Sequence, residues 1–462
     1  MSHNDSGTLL GHPKGLFLLF GTELWERFSY YAMRAILVLY LTDKTIDGGL
    51  SWTTQEALSL YGIYTGLVYF TPLIGGWIAD NFLGQRRSII IGGVLMAIGQ
   101  FTLALPHSVV DPHAVKAFYV GLTFLIIGNG LFKPNISTMV GDLYEEGDNR
   151  RDGAFTIFYM GINIGSLLAG VIAGTASAVY GWKAGFLCAG FGMLFSLLIQ
   201  LFFAQRYLGN IGTVPAAVRD AAKNASGKKE PLTKVERDRL KVIMVMCTFV
   251  IVFWAGFEQA GGLMNIYSQE YTNRMIGSFE VPAAWFQSLN PFFIIICAPI
   301  LASLWVKMGK KEPNSPVKFA LAMFSLALGF ACMIGAALEQ GGDMTVKTSM
   351  LWLIGAYFFH TIGELCLSPI GLSMVTKLAP LRLASLMMGA WFGANAIANY
   401  IAGEIGSRIG EAGPLAIFSG IAITAVIAGV LLLLLSNTLI NWMHGAESSN
   451  DDEHVEVKTA EA

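Results

Sequence analysis

Long apolar segments recur along the whole chain and constrain its fold more than any other feature. Each matches the ~20 largely apolar residues that a membrane-spanning helix needs. Twelve such segments can be read, at about 15–42, 53–82, 86–105, 115–141, 152–178, 182–204, 241–269, 281–306, 316–338, 347–376, 383–407 and 413–443. The sequence therefore predicts an all-α membrane protein with twelve transmembrane helices in a lipid bilayer.

The composition excludes other classes of protein. Only 13% of the residues are charged, against ~25% in an average soluble domain. The net charge of −2 leaves no excess of basic residues to neutralise phosphates, so we expect no nucleic-acid partner. The five cysteines lie inside apolar segments without paired spacing, which indicates free thiols and neither a disulfide framework nor a metal site. We expect no cofactor.

Basic residues alternate between the two sides of the predicted membrane protein. If both termini are cytoplasmic, 21 of the 30 Lys and Arg residues lie on the cytoplasmic side, six lie opposite, and three lie within helices. The positive-inside rule therefore predicts cytoplasmic termini. The predicted parts are a cytoplasmic N-terminus (1–14), a first six-helix bundle (15–204), a cytoplasmic linker (205–240), a second six-helix bundle (241–443) and an acidic disordered tail (444–462).

A weak internal repeat supports two similar halves. The second segment ends in GGWIADNFLGQRR and the eighth in ASLWVKMGKK, and Gly84 and Gly309 at these turns are 225 residues apart. Two six-helix bundles joined by one linker are the architecture of the major facilitator superfamily, in which the substrate binds between the halves.

Ionisable residues stand inside the apolar segments, where each costs ~2.5–3.5 kcal/mol on insertion scales. There are seven of them: Glu23, Glu26, Arg27, Arg34, Lys133, Glu258 and Glu364. The first half supplies all three cations, whereas the second half supplies only acids. A buried ion pair can also merely fix helix register. Four acids and three bases sum to −1, so one proton would neutralise the set, as in a proton-coupled device.

The placement of these charges predicts a polar cavity. Glu23, Arg27 and Arg34 lie on one stripe of the first helix, which lipid would not tolerate. We expect Pro134, which follows Lys133, to break the fourth helix. Cations on one wall and carboxylates on the other suit a zwitterionic substrate.

Residues 23–31, Glu-Leu-Trp-Glu-Arg-Phe-Ser-Tyr-Tyr, resemble the ExxERFxYY motif of the proton-dependent oligopeptide transporters, the POT family of the major facilitator superfamily. The resemblance continues through GNGLFKPNIS, FYMGINIGSL, FWAGFEQ, SLNPFF and GELCLS. It implies a proton-coupled symporter, and no enzyme, that imports di- and tripeptides by alternating access. We expect a monomer in a bacterial inner membrane that is driven by the proton gradient.

The resemblance also implies a role for each matching residue. Arg34 and Lys133 would receive the peptide carboxylate, and Glu364 the peptide amino terminus. Other substrate-binding residues would be Tyr30, Tyr69, Tyr159, Asn163, Trp254, Asn290, Ser368 and Trp391. Proton coupling would rest on Glu23, Glu26, Arg27, Glu258 and Glu364.

Alternatives remain open from the sequence alone. A major facilitator proton antiporter for drugs or another small solute would need no opposed charges across its cavity. A membrane enzyme needs a catalytic set, and neither HExxH nor paired aspartates occur. A sensor would bind peptides without moving them. His360, four residues before Glu364, could tune that acid or simply pack as a satisfied histidine.

Overall fold

Long helices make up most of the computed structural model, which describes residues 7–105, 112–145, 148, 150–215, 218, 231–380 and 383–446. Twelve helices of 19 or more residues lie within these ranges. In chain order they are α1 (Lys14–Thr42), α2 (Thr54–Ile78), α3 (Gln85–Leu103), α4 (Pro112–Asp142), α5 (Arg150–Tyr180), α6 (Trp182–Leu208), α7 (Lys234–Phe257), α8 (Leu289–Met308), α9 (Ser315–Gln340), α10 (Met350–Leu378), α11 (Ala384–Ser407) and α12 (Pro414–Met443).

The helices pack as two halves, α1–α6 and α7–α12. Within the first half α1 packs on α5 and α6, and in the second α9 packs on α10 and α12. Contacts of α2 with α11 and of α5 with α8 join the halves. The α2–α11 contact is made backbone to backbone, because a Cβ at Gly62 would lie 2.7 Å from the Cα of Gly403.

Nine spans among the described residues are long and apolar enough to cross a membrane. Helices α1, α3 and α11 are not among these nine. For α1 the reason is visible in its sequence, since five charged residues lie within its length, four of them beyond its first turn. The number of apolar spans therefore falls short of the twelve predicted, although all twelve predicted segments coincide with helices.

The expected break of the fourth helix at Pro134 is wrong. Helix α4 continues through this proline to Asp142. A proline cannot donate to the carbonyl four residues earlier, here that of Gly130. Helix α2 crosses α4 at this carbonyl, and a Cβ at Gly75 would lie only 2.0 Å from the Gly130 oxygen. Because Gly75 has no side chain, the backbones of α2 and α4 can approach closely at the carbonyl that Pro134 leaves without its helical donor.

The seventh predicted segment, 241–269, is not one helix. Helix α7 begins earlier, at Lys234, where Thr233 and Glu236 form a reciprocal capping box. It ends at Phe257 and is followed by a 3₁₀ turn, Glu258–Ala260, and a short helix, Leu263–Glu270. The break frees the carbonyl of Ala260, which accepts hydrogen bonds from Gln287 Nε2 (2.6 Å) and Tyr357 Oη (3.1 Å).

Several smaller elements complete the described chain. A 3₁₀ turn, Ala283–Ser288, precedes α8. Short strand pairs join Thr8–Leu9 to His12–Pro13 and Met275–Ile276 to Phe279–Glu280, both antiparallel, and Thr272–Asn273 to Thr348–Ser349, parallel. Residues 216–217 and 219–230 of the predicted linker and 447–462 of the predicted tail lie outside the described residues. Helix α6 extends into the linker as far as Leu208, and α7 begins within it at Lys234.

We call the end of the molecule at which α1 begins the first face, and the opposite end the second face. The two halves are hydrogen-bonded toward the second face. Asn265 Nδ2 donates to the carbonyl of Ala35 (2.8 Å), and Ser288 Oγ donates to that of Leu167 (2.7 Å). Ser59 on α2 also donates to Glu404 at the end of α11 (3.3 Å).

At the first face the N-terminal strand pair is fastened to the α4–α5 turn. His12 Nδ1 hydrogen-bonds Tyr144 Oη (2.8 Å), and Arg150 donates to the carbonyl of Gly11 (3.0 Å). Arg150, which is exposed, also pairs with the partly buried Asp148 (2.7 Å). Hydrogen bonds from Arg150 lower the pKa of Asp148 to about 2, so this pair stays charged at every pH at which such a protein is handled.

Candidate functional site

Two carboxylates share one guanidinium inside α1. Arg27 Nε lies 2.8 Å from Glu23 Oε1 and 2.5 Å from Glu26 Oε2. All three residues are at least 96% buried, because α2, α4, α5 and α6 surround this helix. The cluster carries one more acid than base, and its distances are those of ion pairs. It can therefore exist with or without one additional proton.

A second ion pair crosses from the first half to the second. Arg34 Nη2 donates to Glu258 Oε2, and Arg34 Nε donates to Tyr61 Oη at 2.6 Å. The break after α7 places Glu258 here, at the start of the 3₁₀ turn. Glu258, which the resemblance assigns to proton coupling, is therefore paired with Arg34 in this conformation. Its consequence is that Arg34 already holds a carboxylate.

Lys133 differs from the two arginines because it has no ion-pair partner within 4 Å among the described residues. Its ammonium lies over the ring of Tyr69, 4.2 Å from the ring centre. Such a cation–π contact stabilises an ammonium without neutralising it. Lys133 is partly exposed and can still take an anionic partner.

Glu364 is the counterpart of Lys133 on the second half. Its Oε2 accepts a hydrogen bond from Asn290 Nδ2 at 2.8 Å. The same amide group donates to Thr361 Oγ1 at 3.1 Å. Asn290 is neutral, and the described part of the chain offers Glu364 no cation within 4 Å. Like Lys133, Glu364 is partly exposed and can take a cationic partner.

These charges face one another across the boundary between the halves. Lys133 of the first half is within electrostatic range of Glu258 of the second. Glu364 is within range of Arg34, and Tyr159 within range of Glu364. Tyr159 is 42% exposed although it stands in mid-helix. These residues therefore lie near one another at the boundary between the halves, with cations on the first half and a carboxylate on the second.

Other predicted binding residues are less accessible in this conformation. Tyr30, Asn163 and Trp391 are 4–5% exposed. Asn163 donates to the carbonyl of Tyr159 at 3.0 Å, and Trp391 packs edge-on against Phe319. Trp254, Ser368 and Tyr69 are partly exposed. Direct contact of all these residues with a substrate stays a prediction.

Four polar residues that support the site were not predicted. Tyr61 holds Arg34, Asn129 Nδ2 donates to Glu26 at 3.3 Å, and Gln287 and Asn265 fix the region after α7. Asn129 carried a usable signal, because it stands four residues before Lys133 and so shares its helix face. The others are neutral side chains within apolar sequence and have no such signal.

His360 packs, but it is not a satisfied histidine. Its ring lies 4.8 Å from that of Phe330, and it fills the space left by Gly329, where a Cβ would lie 2.3 Å from the imidazole. Neither ring nitrogen has a hydrogen-bond partner among the described residues. Its ring contacts therefore lie with Phe257 of α7 and Phe330 of α9.

Long helices in two halves, with buried charges between them, define a multi-pass membrane protein of the helical transporter class. Comparison with known proteins identifies the family. The POT family profile matches residues 86–218 and 221–412. The chain belongs to the POT family, whose members are transporters and not enzymes. The predicted membership of this family is confirmed.

Relatives match nearly the whole chain. An uncharacterised transporter of Bacillus subtilis, YclF, is 37% identical over 94% of this chain and 96% of its own. The peptide transporter YePEPT of Yersinia enterocolitica is 36% identical over 93% and 94%. Dipeptide and tripeptide permease A of Escherichia coli is 31% identical over 92% and 93%.

Solved structures have the same fold. A crystal structure of a peptide transporter POT in complex with sulfate has a TM-score of 0.87 and 36% identity, covering 95% of this chain and 97% of its own. A POT family transporter in complex with 5-aminolevulinic acid has a TM-score of 0.86 and 31% identity, covering 94% and 98%.

Proposed function

We propose that this protein is a proton-coupled symporter that imports di- and tripeptides by alternating access. The names of its relatives support this proposal, since they include a peptide transporter and di- and tripeptide permeases. No cofactor is needed, because the proton gradient supplies the energy. The protein would work as a monomer in a bacterial inner membrane.

The proposed topology has twelve spans and both termini in the cytoplasm. It makes the first face cytoplasmic and the second face periplasmic. The distribution of Lys and Arg supports this orientation, and the lengths of α1, α3 and α11 suffice for spanning. The halves are fastened toward the second face, so the conformation described here would open toward the cytoplasm.

The observation that carries the proposal is the pair of charges left without an opposite partner. Lys133 on one half lacks a carboxylate, and Glu364 on the other lacks a cation, among the described residues. A peptide brings one carboxylate and one ammonium. Binding of its carboxylate to Lys133 and its amino terminus to Glu364 would satisfy both charges at once and draw the halves together.

The α1 cluster would couple this binding to protons. Glu23 and Glu26 share Arg27, so protonation of one carboxylate leaves a balanced ion pair with the other. Arg34 would serve in the gate toward the second face while it is paired with Glu258. It would be free for the peptide carboxylate only when that pair opens.

The transport proposal is tested with purified protein in proteoliposomes. Labelled dialanine should accumulate when an inward proton gradient is imposed, and a protonophore should abolish the accumulation. Uptake that ignores the gradient would contradict the symport. An antiporter would instead use the inward flow of protons to drive substrate out of the vesicles. A sensor would bind dialanine without accumulating it.

The polarity of binding is tested separately with Glu364→Gln. Dipeptide affinity should fall by about tenfold or more, since about 1.4 kcal/mol is one decade and the loss of a desolvated charge partner costs about 2–5 kcal/mol. N-acetyl dialanine should bind the wild type more weakly but show little further loss in the variant. If the two losses simply add, Glu364 does not hold the amino terminus.

A further inference from the structure

Glu26 has a neutral neighbour that no role described above uses. Asn129 on α4 is 1% exposed, and its Nδ2 donates to Glu26 Oε1 at 3.3 Å. Its Oδ1 is buried and has no hydrogen-bond partner among the described residues. A buried amide oxygen without a partner is uncommon in proteins, so its position calls for an explanation.

The charged groups around Glu26 come from two helices. Glu23 and Arg27 stand on α1 and Lys133 on α4, and the titratable side chain of Tyr64 faces Glu26 from α2. Arg27 and Lys133 favour only the ionised carboxylate. Neither can accept the O–H of the neutral acid, because a cation has donors and no acceptor.

An asparagine side chain differs from these cations because it offers both functions. Its NH2 group donates to a carboxylate, and its carbonyl oxygen accepts from a protonated carboxyl group. The last torsion of asparagine is broad and roughly two-fold, so rotation about it exchanges the two groups. The unpartnered Oδ1 is the atom that such a rotation would bring to Glu26.

We propose that Asn129 is a positioning residue that stabilises Glu26 in both protonation states. With Glu26 ionised, Nδ2 donates to the carboxylate as in the structure. When a proton from water in the cavity binds the carboxylate, the amide rotates and Oδ1 accepts the new O–H. The Glu26 side chain then has a hydrogen bond from or to Asn129 in both of its protonation states. This inference rests on the proposed proton coupling.

The chain offers a matched control on the same helix. Asn135 is 2% exposed, and its amide donates only to the carbonyl of Leu131 (2.7 Å) among the described residues. Leucine has nearly the size of asparagine but neither donates nor accepts. Asn129→Leu and Asn135→Leu therefore remove similar buried amides, one beside Glu26 and one away from it.

Transport separates a role in coupling from a role in folding. Asn129→Leu should lower gradient-driven accumulation of dialanine by about tenfold, whereas peptide counterflow, which moves no net proton, should stay close to wild type. Asn135→Leu should affect both assays alike. If Asn129→Leu accumulates dialanine normally, or loses counterflow in the same proportion, the proposal is wrong.

The pH dependence of uptake by a second variant tests the protonation of Glu26. Asn129→Asp places another carboxylate beside Glu26, and two such groups in a buried site retain a shared proton to higher pH. The pH at which uptake is half-maximal should move upward by about one unit. A profile that coincides with that of the wild type would overturn the proposal.

Infrared spectroscopy tests the contact without transport. The pH-difference spectrum of the wild-type protein in detergent should contain a protonated-carboxyl band that Glu26→Gln removes. Asn129→Leu should shift that band, and Asn135→Leu should leave it in place. An unshifted band in Asn129→Leu would refute the contact. Failure of dialanine transport by the wild type, with the band behaving as expected, would refute the proposed function alone.

Discussion

At the scale of residues, the number of hydrogen-bond and charge partners decides what each buried group can do. Arg27 is shared by two carboxylates, and Arg34 is held by Glu258 and Tyr61. Lys133 and Glu364 contact neutral neighbours instead. The ion-paired groups can change state only when a proton or a helix moves, whereas the other two have no opposite charge within 4 Å among the described residues and can take a ligand.

Replacement of Glu26 tests the coupling cluster. Glu26→Gln keeps the shape of the side chain but cannot exchange a proton, so gradient-driven accumulation of dialanine should be abolished. Counterflow should persist, because exchange of peptide for peptide needs no net proton movement. Tracer uptake in both modes is the measurement. Undiminished accumulation against the gradient would show that the coupling proton binds elsewhere.

Replacement of Lys133 tests recognition of the peptide carboxylate. Lys133→Gln should weaken binding of dialanine by about tenfold but should change binding of its C-terminal amide much less, since the amide carries no charge to lose. Competition against a labelled dipeptide measures both affinities. Equal losses for the acid and the amide would remove Lys133 from this role. Lys116→Gln, on the exposed start of the same helix, serves as the control.

The sequence reveals these residues unequally, for a physical reason. A charge in an apolar segment is costly, so Glu23, Lys133 and Glu364 were detectable one by one. Tyr61 and Asn129 are neutral and carry no such cost. The pairing of Arg34 with Glu258 joins residues 224 apart in the chain, and which groups remain without partners depends on such distances, which composition and spacing do not specify.

At the scale of elements, the break after α7 forms part of the contact between the halves. Gly261 and Gly262 follow the 3₁₀ turn, and the chain there lies directly against Arg34 and Tyr61. The helical segments themselves were predictable from hydropathy. The break was not, because its freed carbonyl is satisfied by Gln287 and Tyr357 from distant segments.

A side chain at the break should weaken closure of the second face. A Cβ at Gly261 would lie 2.0 Å from Tyr61 Oη and 2.7 Å from Arg34 Nη2. Gly261→Ala should therefore shift the population toward conformations that are more open at this face. Gly393→Ala, on α11 where nothing lies within 4 Å of the added atom, is the matched control.

Spin labels measure this shift. Ile46 and Ile276, 90% and 61% exposed on opposite halves near the second face, can carry nitroxides in a chain without its native cysteines. Electron–electron distances should lengthen in Gly261→Ala and stay unchanged in Gly393→Ala. Identical distance distributions in the two variants would mean that the closed contact tolerates the extra atom.

At the scale of the whole molecule, one buried ion pair connects the halves beside a set of hydrogen bonds. Arg34 and Glu258 have side chains only 10% and 3% exposed. The two-half architecture could be predicted from the repeat and the linker. The face at which the halves meet could not, because the proposed alternating access would let the same sequence adopt more than one arrangement.

Removal of one member of this pair should destabilise the protein more than removal of both. Glu258→Gln strands the buried Arg34, and breaking such a pair costs about 3–5 kcal/mol of unfolding free energy. The double variant Arg34→Gln/Glu258→Gln should recover part of that loss. Denaturation in detergent gives the comparison. Glu280→Gln breaks the pair of Arg274 with an exposed acid and should cost no more than about 1 kcal/mol.

The four charges of α1 beyond its first turn have a consequence for biogenesis. This helix is synthesised before the other eleven long helices described here, yet it is not among the apolar spans. Glu258, the partner of Arg34, is synthesised 224 residues later. The hydrogen bond from Asn129 to Glu26 can form only after the fourth helix has been synthesised. The first helix therefore enters the bilayer with charges that later helices must satisfy. Its stable insertion is a collective property of the polytopic chain, completed only after the seventh helix has emerged.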